Sequence, residues 1–378
     1  MDFSFTEEQT LLRNSVQRFL TEKYDFETRR KILRTADGWR ADYWQAFAEL
    51  GILGVPFSEA DGGLGGGPIE TMIVMEEFGR ALALEPYFAC VVLAGGFLRA
   101  SASAAQREEF LGPLIAGELI LAHAWAESRA RFDLFDVSVR AKRSGAGYIL
   151  SGTKISVLGA PQAHKLIVSA RTGGSGKERA GLSLFLVDRA AKGVSERAFR
   201  GVDGRLASEI TFENTMLGND HLLGPEGGAA DIIEQVADEA ITALCAESLG
   251  AMKALHDQTL EFVKARQQFG QPIGKFQVIQ HRLADMFVAY EQSVSITYRA
   301  TLSLNDAPKQ RALAAAAAKA HVGRAAKFIG QCAVQIHGGM GMTDELPVGH
   351  YFKRLTMLDL LFGNSDHHVK RFAQSSAA

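Results

Sequence analysis

Few side chains in this sequence are grouped as chemistry requires. Cys90, Cys245 and Cys332 stand far apart with no CxxC, so neither a disulfide framework nor a thiolate zinc cluster can be assembled from them. The run Gly62-Gly63-Leu64-Gly65-Gly66-Gly67 follows a polar turn rather than a strand and lacks the lysine of a P-loop, so it reads as a plain loop. Two denser groups remain. One is Arg266-Gln267-Gln268-Phe269-Gly270-Gln271-Pro272-Ile273-Gly274 with Phe276-Gln277 behind it, and the other is Gln335-Ile336-His337-Gly338-Gly339-Met340-Gly341-Met342. Taken singly their members are ordinary, since an arginine on a helix is usually a solvated charge and Gly-Gly usually ends a helix. Their conjunction is what calls for an explanation.

The elements that must position them fall into three stretches. Up to about residue 120 the period is helical: Thr6 and Gln9 can form a capping box, Leu11, Leu12, Val16, Phe19 and Leu20 share a stripe, and helical patterns follow over Tyr43–Leu50 and Glu70–Leu84. From 121 to 226, short β-rich runs at Asp136–Ala141, Tyr148–Leu150, Leu166–Ala170, Leu182–Val187 and Glu209–Phe212 predict an antiparallel sheet, because turn formers and no long helical pattern separate them. From 227 to 378 long helices return. Ile233, Val236, Ala240 and Leu244 lead one, and Phe276, Ile279, Leu283, Met286, Tyr290 and Val294 mark the next. The alanine-rich run Ala312–Ala320 reads as a buried helix with closely approaching neighbours. The resulting class is α+β, with a helical N-terminal domain (1–120), a middle β-domain (121–226) and a C-terminal four-helix bundle (227–378).

Composition narrows the class further. The 378 residues exceed what one hydrophobic core usually holds, and 47% hydrophobic with 22% charged residues is the composition of a compact soluble protein. A net charge of −2 lacks the basic excess of a nucleic-acid binder. The acidic start Met1-Asp2-Phe3-Ser4-Phe5-Thr6-Glu7-Glu8 is unlike a signal peptide, and no apolar stretch reaches bilayer length, so a cytoplasmic protein without a membrane span is expected.

This order of elements and the two dense groups together strongly resemble the acyl-CoA dehydrogenases, and the ends agree, from Phe5-Thr6-Glu7-Glu8-Gln9 to Phe212-Glu213-Asn214 and Leu222-Leu223-Gly224. The resemblance implies a flavoprotein oxidoreductase acting on an acyl-CoA substrate and passing electrons to a flavin-linked acceptor. FAD would lie between the β-domain and the C-terminal helices, its ADP half reaching a neighbouring subunit. The residues suit that role. Arg266 offers a charged donor fork for a pyrophosphate, Gln268, Gln277 and Gln335 add neutral hydrogen bonds, Phe269 and Phe276 supply aromatic faces, and Gly338 and Gly339 leave backbone N–H groups approachable. Ser156, Asn364 and Asp366 complete the expected cofactor contacts.

The base is another matter. Removing the α-proton while the β-hydride leaves needs a positioned carboxylate. The family places a glutamate in a Glu-Gly turn after the last long helix, where this chain reads Leu361-Phe362-Gly363-Asn364; a second family position falls on Ala240, and its companion arginine on Ile241. Both are apolar. Asp238 and Glu239 stand close by, but one residue along a helix turns a side chain by about 100°. Thr-Glu-Pro has become Ala126-Glu127-Ser128, Gly-Ser-Asp has become Phe132-Asp133, and the tryptophan expected after Gly152-Thr153-Lys154 has become Ser156, with Trp125 a candidate replacement. His337 is expected to pack or to contact the cofactor. The ADP-facing residues survive while those serving chemistry in the same subunit are gone. The pattern implies the base-lacking small subunit of a heteromeric enzyme whose glutamate sits on a homologous partner, with likeness to small subunits acting on pimeloyl-CoA and related dicarboxylyl-CoA thioesters. A self-sufficient homo-oligomer with a relocated base at Glu239 or Asp366, and a non-catalytic scaffold of the same fold, are the alternatives.

Overall fold

The computed structural model describes residues 4–377, so Met1, Asp2 and Phe3 of the acidic start lie outside the described residues. The helices are α1 (Glu7–Lys23), α2 (Phe26–Arg34), α3 (Ala41–Glu49), α4 (Pro68–Ala81), α5 (Gly95–Ser101), α6 (Ala104–Ile115), α7 (Ala230–Ala265), α8 (Gln277–Leu302), α9 (Pro308–His337), α10 (Pro347–Leu360) and α11 (Ser365–Ala377). The strands are β1 (Leu121–Ala124), β2 (Arg140–Ser144), β3 (Gly147–Leu158), β4 (Lys165–Arg171), β5 (Leu182–Asp188), β6 (Val194–Arg200), β7 (Leu206–Gly218), β8 (Leu222–Leu223), β9 (Gln267–Gln268) and β10 (Gln271–Pro272). The chain forms two compact units, one made of the residues up to Lys31, Pro68–Ala83 and Ile241 onward, the other of Ile32–Gly67 and Leu84–Ala240.

The first unit is helical. Thr6 and Gln9 do form the capping box that starts α1. The alanine run lies inside α9, where Ala315, Ala316, Ala318, Ala325, Ala326 and Ala333 are buried against α8, α10 and α11. α4 and α7 cross in close contact: a Cβ on Gly79 would lie 1.9 Å from the Glu247 carbonyl oxygen, and one on Gly250 1.7 Å from that of Glu76. Only glycine permits that contact. Beside it, Arg354 of α10 grips the buried Glu247 with a two-pronged pair at 2.8 and 2.7 Å.

The second unit is built on a sheet in the order β6-β7-β3-β2-β4-β5-β8, with β1 added beside β4. Its neighbours run antiparallel except that β1 pairs with β4 in parallel, from Leu121↔Lys165 to Ala124↔Val168, and β2 touches β4 through one parallel bridge, Arg140↔Arg171. The expected purely antiparallel sheet is corrected to that extent. The predicted strand at Asp136–Ala141 is corrected too, because β2 begins only at Arg140. Over 135–139 long-range side chains replace the ladder: Glu127 accepts from the backbone N–H groups of Ser138 (2.8 Å) and Val139 (3.2 Å), while Arg171 donates to the carbonyls of Phe135 (2.7 Å) and Val137 (3.1 Å). β3 and β7 run far beyond the short patterns that announced them, with irregular register between Lys154 and Val157.

Candidate functional site

The Arg266 group folds into a two-stranded hairpin, with Gln271↔Gln268 and Pro272↔Gln267 paired, directly after α7. At its tip Phe269 takes a left-handed backbone conformation, φ +54°, and is 90% exposed. Its ring meets Phe276, the residue that precedes α8, edge-on at 6.1 Å. A bulky residue held at positive φ and left in water is costly, and such strain is concentrated at functional positions. The Arg266 guanidinium has no hydrogen-bond or ion-pair partner among the described residues, although its backbone is fixed by Phe262 and Ile273. Among the described residues Gln268 reaches only the neighbouring Gln267 carbonyl, and Gln277 and Gln335 are exposed.

A stacked pair brings the second group alongside. Phe262, one turn before Arg266, lies on His337 with centroids 4.2 Å apart, and His337 Nδ1 is 2.8 Å from the Ala333 carbonyl. His337 is thus buried packing, its pKa lowered chiefly by burial. α9 ends there. Gly338 adopts φ +61°, and a Cβ placed on Gly338 or Gly339 would meet nothing within 4 Å. A partnerless guanidinium, an exposed aromatic ring and an open double glycine on one edge fit a dinucleotide phosphate and its base.

The Phe362 turn is organised differently. Phe362 is left-handed at φ +57° but only 6% exposed, and Gly363 follows at φ +104°. His368 Nε2 lies 2.9 Å from the Phe362 carbonyl, and the buried Lys319 ammonium donates to the carbonyls of Asp359 (2.7 Å) and Gly363 (2.8 Å). Burial lowers the Lys319 pKa to about 8. Asn364 uses its side-chain oxygen to cap α11 through the His367 N–H at 3.0 Å, and the exposed Asp366 sits 3.6 Å from Arg324 of α9. The turn is over-determined, yet it presents a hydrocarbon.

In the second unit, Ala240 is fully buried and Glu239 is ion-paired to Arg99, which also donates to the Pro56 carbonyl at 3.3 Å; Gln235 reaches Glu239 from one turn away at 3.2 Å. Glu239 is therefore a tethered carboxylate. Sequence reasoning missed Arg99, which lies 140 residues away. Ser156 is exposed at φ +51° in the irregular stretch of β3. The Trp125–Glu127 run lies beside it, held by the Ile155 N–H on the Ala126 carbonyl at 2.8 Å. Beneath, Lys154 Nζ is 2.7 Å from Glu127 and also donates to the Trp125 carbonyl (3.0 Å) and the Ser169 hydroxyl (3.2 Å). Burial lowers the Lys154 pKa to about 8. Burial also pushes Glu127 up, but Lys154 and Ser138 outweigh it and hold the carboxyl below its ordinary value. The retained Glu127 serves the fold of this segment. Asp133 pairs with Lys177 at 3.1 Å.

No group of three or more His, Cys, Asp or Glu among the described residues is arranged for a metal ion, and no described helix is long and apolar enough to cross a membrane.

The chain belongs to the acyl-CoA dehydrogenase family. Residues 6–118, 122–215 and 226–377 match the family models for its N-terminal, middle and C-terminal domains. It is therefore a member of an oxidoreductase family of FAD-binding flavoproteins with the N-terminal helical, middle β and C-terminal helical architecture. Among its relatives is the mitochondrial 2-methylacyl-CoA dehydrogenase of Solanum tuberosum, 30% identical, covering 85% of this chain and 79% of that one. The ChsE4-ChsE5 complex from Mycobacterium tuberculosis superimposes with a TM-score of 0.91 at 25% identity, over 100% of this chain and 99% of that chain. The FAD complex of PigA does so at 0.92 and 26%, with the same coverage.

Proposed function

We propose that this chain is the base-lacking small subunit of a heteromeric, FAD-dependent acyl-CoA dehydrogenase, with segments 1–120, 121–226 and 227–378 as its three domains. One contrast carries the reading: a buried phenylalanine occupies the turn where the family keeps its base, while Arg266, Phe269, Gly338 and Gly339 stand open on one edge. A lone arginine and an exposed aromatic ring are worth keeping only if something covers them. Arg266 would hold the pyrophosphate of FAD, Gln268, Gln277 and Gln335 its polar atoms, and Phe269 and Phe276 a flat ring. Ser156, Asn364 and Asp366 are the remaining proposed contacts. Bound FAD supplies the hydride acceptor for α,β-dehydrogenation. The α-proton goes to a glutamate on the homologous partner, since Phe362 has no lone pair to receive it and Glu239 is committed to Arg99. The existence of a two-component relative, the ChsE4-ChsE5 complex, supports such a division. The substrate we propose is pimeloyl-CoA or a related dicarboxylyl-CoA, the setting the cytoplasm, and the electron acceptor a flavin-linked protein.

Co-expression with a glutamate-bearing homologue tests this. The expected outcome is a complex holding less than one FAD per chain, whose turnover survives Glu239→Gln here and disappears when the partner's glutamate is replaced. Flavin bound to the chain alone and reduced by acyl-CoA, with turnover lost in Glu239→Gln, would establish a self-sufficient enzyme instead. A complex without FAD would establish a scaffold.

A further inference from the structure

The Gly338–Met342 turn is held from behind by a relay that no motif announces. Arg29 of α2, only 2% exposed, donates through Nε to the Leu82 carbonyl at 2.9 Å, and its Nη1 lies 3.0 Å from Nδ1 of His350 in the first turn of α10. A guanidinium can only donate, so Nδ1 is the acceptor and the imidazole proton sits on Nε2. That nitrogen is 3.2 Å from the Asp344 carbonyl, to which it donates. The Phe26 ring closes the site edge-on, 5.0 Å from the imidazole. The same turn of α10 abuts the glycine-rich segment directly, because a Cβ on Gly349 would lie 3.3 Å from the Gly341 carbonyl oxygen and 3.5 Å from that of Thr343. On its other side Gly341 is packed on α9, where a Cβ would come 2.9 Å from the Val334 carbonyl oxygen.

We propose that His350 is the positioning residue for the Gly338–Met342 turn: by accepting from Arg29 and donating to Asp344 it fixes the segment that follows the turn, and its protonation frees that segment. The grip on the nucleotide edge then weakens in acid. This rests on the reading of that edge given above.

The charged groups around the imidazole set the sign. Arg29 faces it from α2. From its own side come Lys353 and the Asp344 carboxylate, which lies 3.9 Å from Nε2 but is exposed and already bound to Lys353 at 2.9 Å; Arg30 also acts on Asp344. A second proton would turn Nδ1 from acceptor to donor against a donor, and place a cation beside buried Arg29. Burial first, and Arg29 second, hold the His350 pKa below its ordinary value. A histidine depressed in this way contributes stability that is complete above its unfolded pKa, about 6.5, and is lost as pH falls through the folded value.

The test uses the co-expressed complex. With the base-catalysed intrinsic rate divided out, amide protection over 338–346 should fall about tenfold, and FAD release should quicken about fivefold, on going from pH 8 to pH 5. H350Q, whose carboxamide can both accept and donate, should flatten both profiles, and H350F should lower the protection and raise the release rate at every pH. Protection over 338–346 that stays constant across that range, or an H350Q profile identical to the parent's, would overturn the proposal; should H350F not fold, H350Q decides. Protection lost in acid with FAD release independent of pH would leave the relay standing and sink the nucleotide reading of the edge.

Discussion

A buried charge is tolerable only with its partner, and Glu127 with Lys154 is the sharpest instance in the chain. Replacing one member strands the other, which costs about 3–5 kcal/mol. E127Q should lower the denaturation free energy by that amount, and the double replacement of Glu127 by Leu and Lys154 by Met should recover only part of it in a urea titration, because the Ser138 and Val139 N–H groups then lose their acceptor. The pH course follows from the depressed Glu127 carboxyl. Its contribution is full above the unfolded value of about 4.3 and is lost as pH falls through the folded one. His123 on β1 offers the opposite case: it is buried against Phe97 at 4.3 Å, both ring nitrogens lack a hydrogen-bond partner among the described residues, and burial lowers its pKa to about 3. H123F removes two unmet polar atoms, so it should stabilise the chain by about 1–2 kcal/mol in the same titration. A glycine without neighbours gives the complementary test. G339A has open space and no positive φ to oppose it, so the melting temperature should hold while the complex retains less FAD. Residue identity singled out Arg266, Phe269 and Gly338 as candidates because their types are rare in combination. It could not announce Arg99, Arg29 or His350, whose meaning comes from partners 140, 53 and 321 residues away.

At the scale of elements, what was legible is what short-range physics controls. The Thr6 capping box, the apolar stripe of α8 and the alanine run of α9 need only neighbours within a turn or two, and they appear where the pattern put them. β6, with the sequence VSERAFR, was not legible, because an edge strand largely exposed to water has no apolar alternation to display. The parallel pairing of β1 with β4 was hidden for another reason, since register between distant strands leaves no local trace. The false start at Asp136 came from valines whose backbone is claimed by Glu127 and Arg171 instead of a neighbouring strand. Helix crossings are equally silent: nothing around Gly250 says that α4 passes within touching distance. Yet the geometry there is severe, and the atom a methyl would strike is backbone. G250A should therefore cost at least about 3 kcal/mol, the upper part of the range for overpacking, and the same change at Gly79 should cost as much. Because both deform one crossing, the double variant should lose clearly less than the sum of the two, measured as a non-additive shift in the urea midpoint.

For the whole molecule the proposed heteromer has a consequence of its own. On that proposal Arg266 and the open glycines serve one site and the Phe362 turn belongs to another, because each subunit can lend its edge to its neighbour's chemistry. The consequence can be tested by restoring the base. Phe362→Glu places a carboxylate in a turn already fixed by Lys319 and His368, so the backbone is prepared for it, but the side chain would be buried. If this chain lacked only a base, the variant alone would dehydrogenate acyl-CoA. On the proposed division of labour it should not, because Ala126 and Ser156 stand where the resemblance implies a threonine and a tryptophan at the flavin, and the partner's edge is missing. Flavin content and turnover of the purified Phe362→Glu chain, alone and with its homologue, decide between the two: turnover by the chain alone would show that the site was one substitution from complete, whereas turnover confined to the complex, dependent on the partner's glutamate, is the expected result.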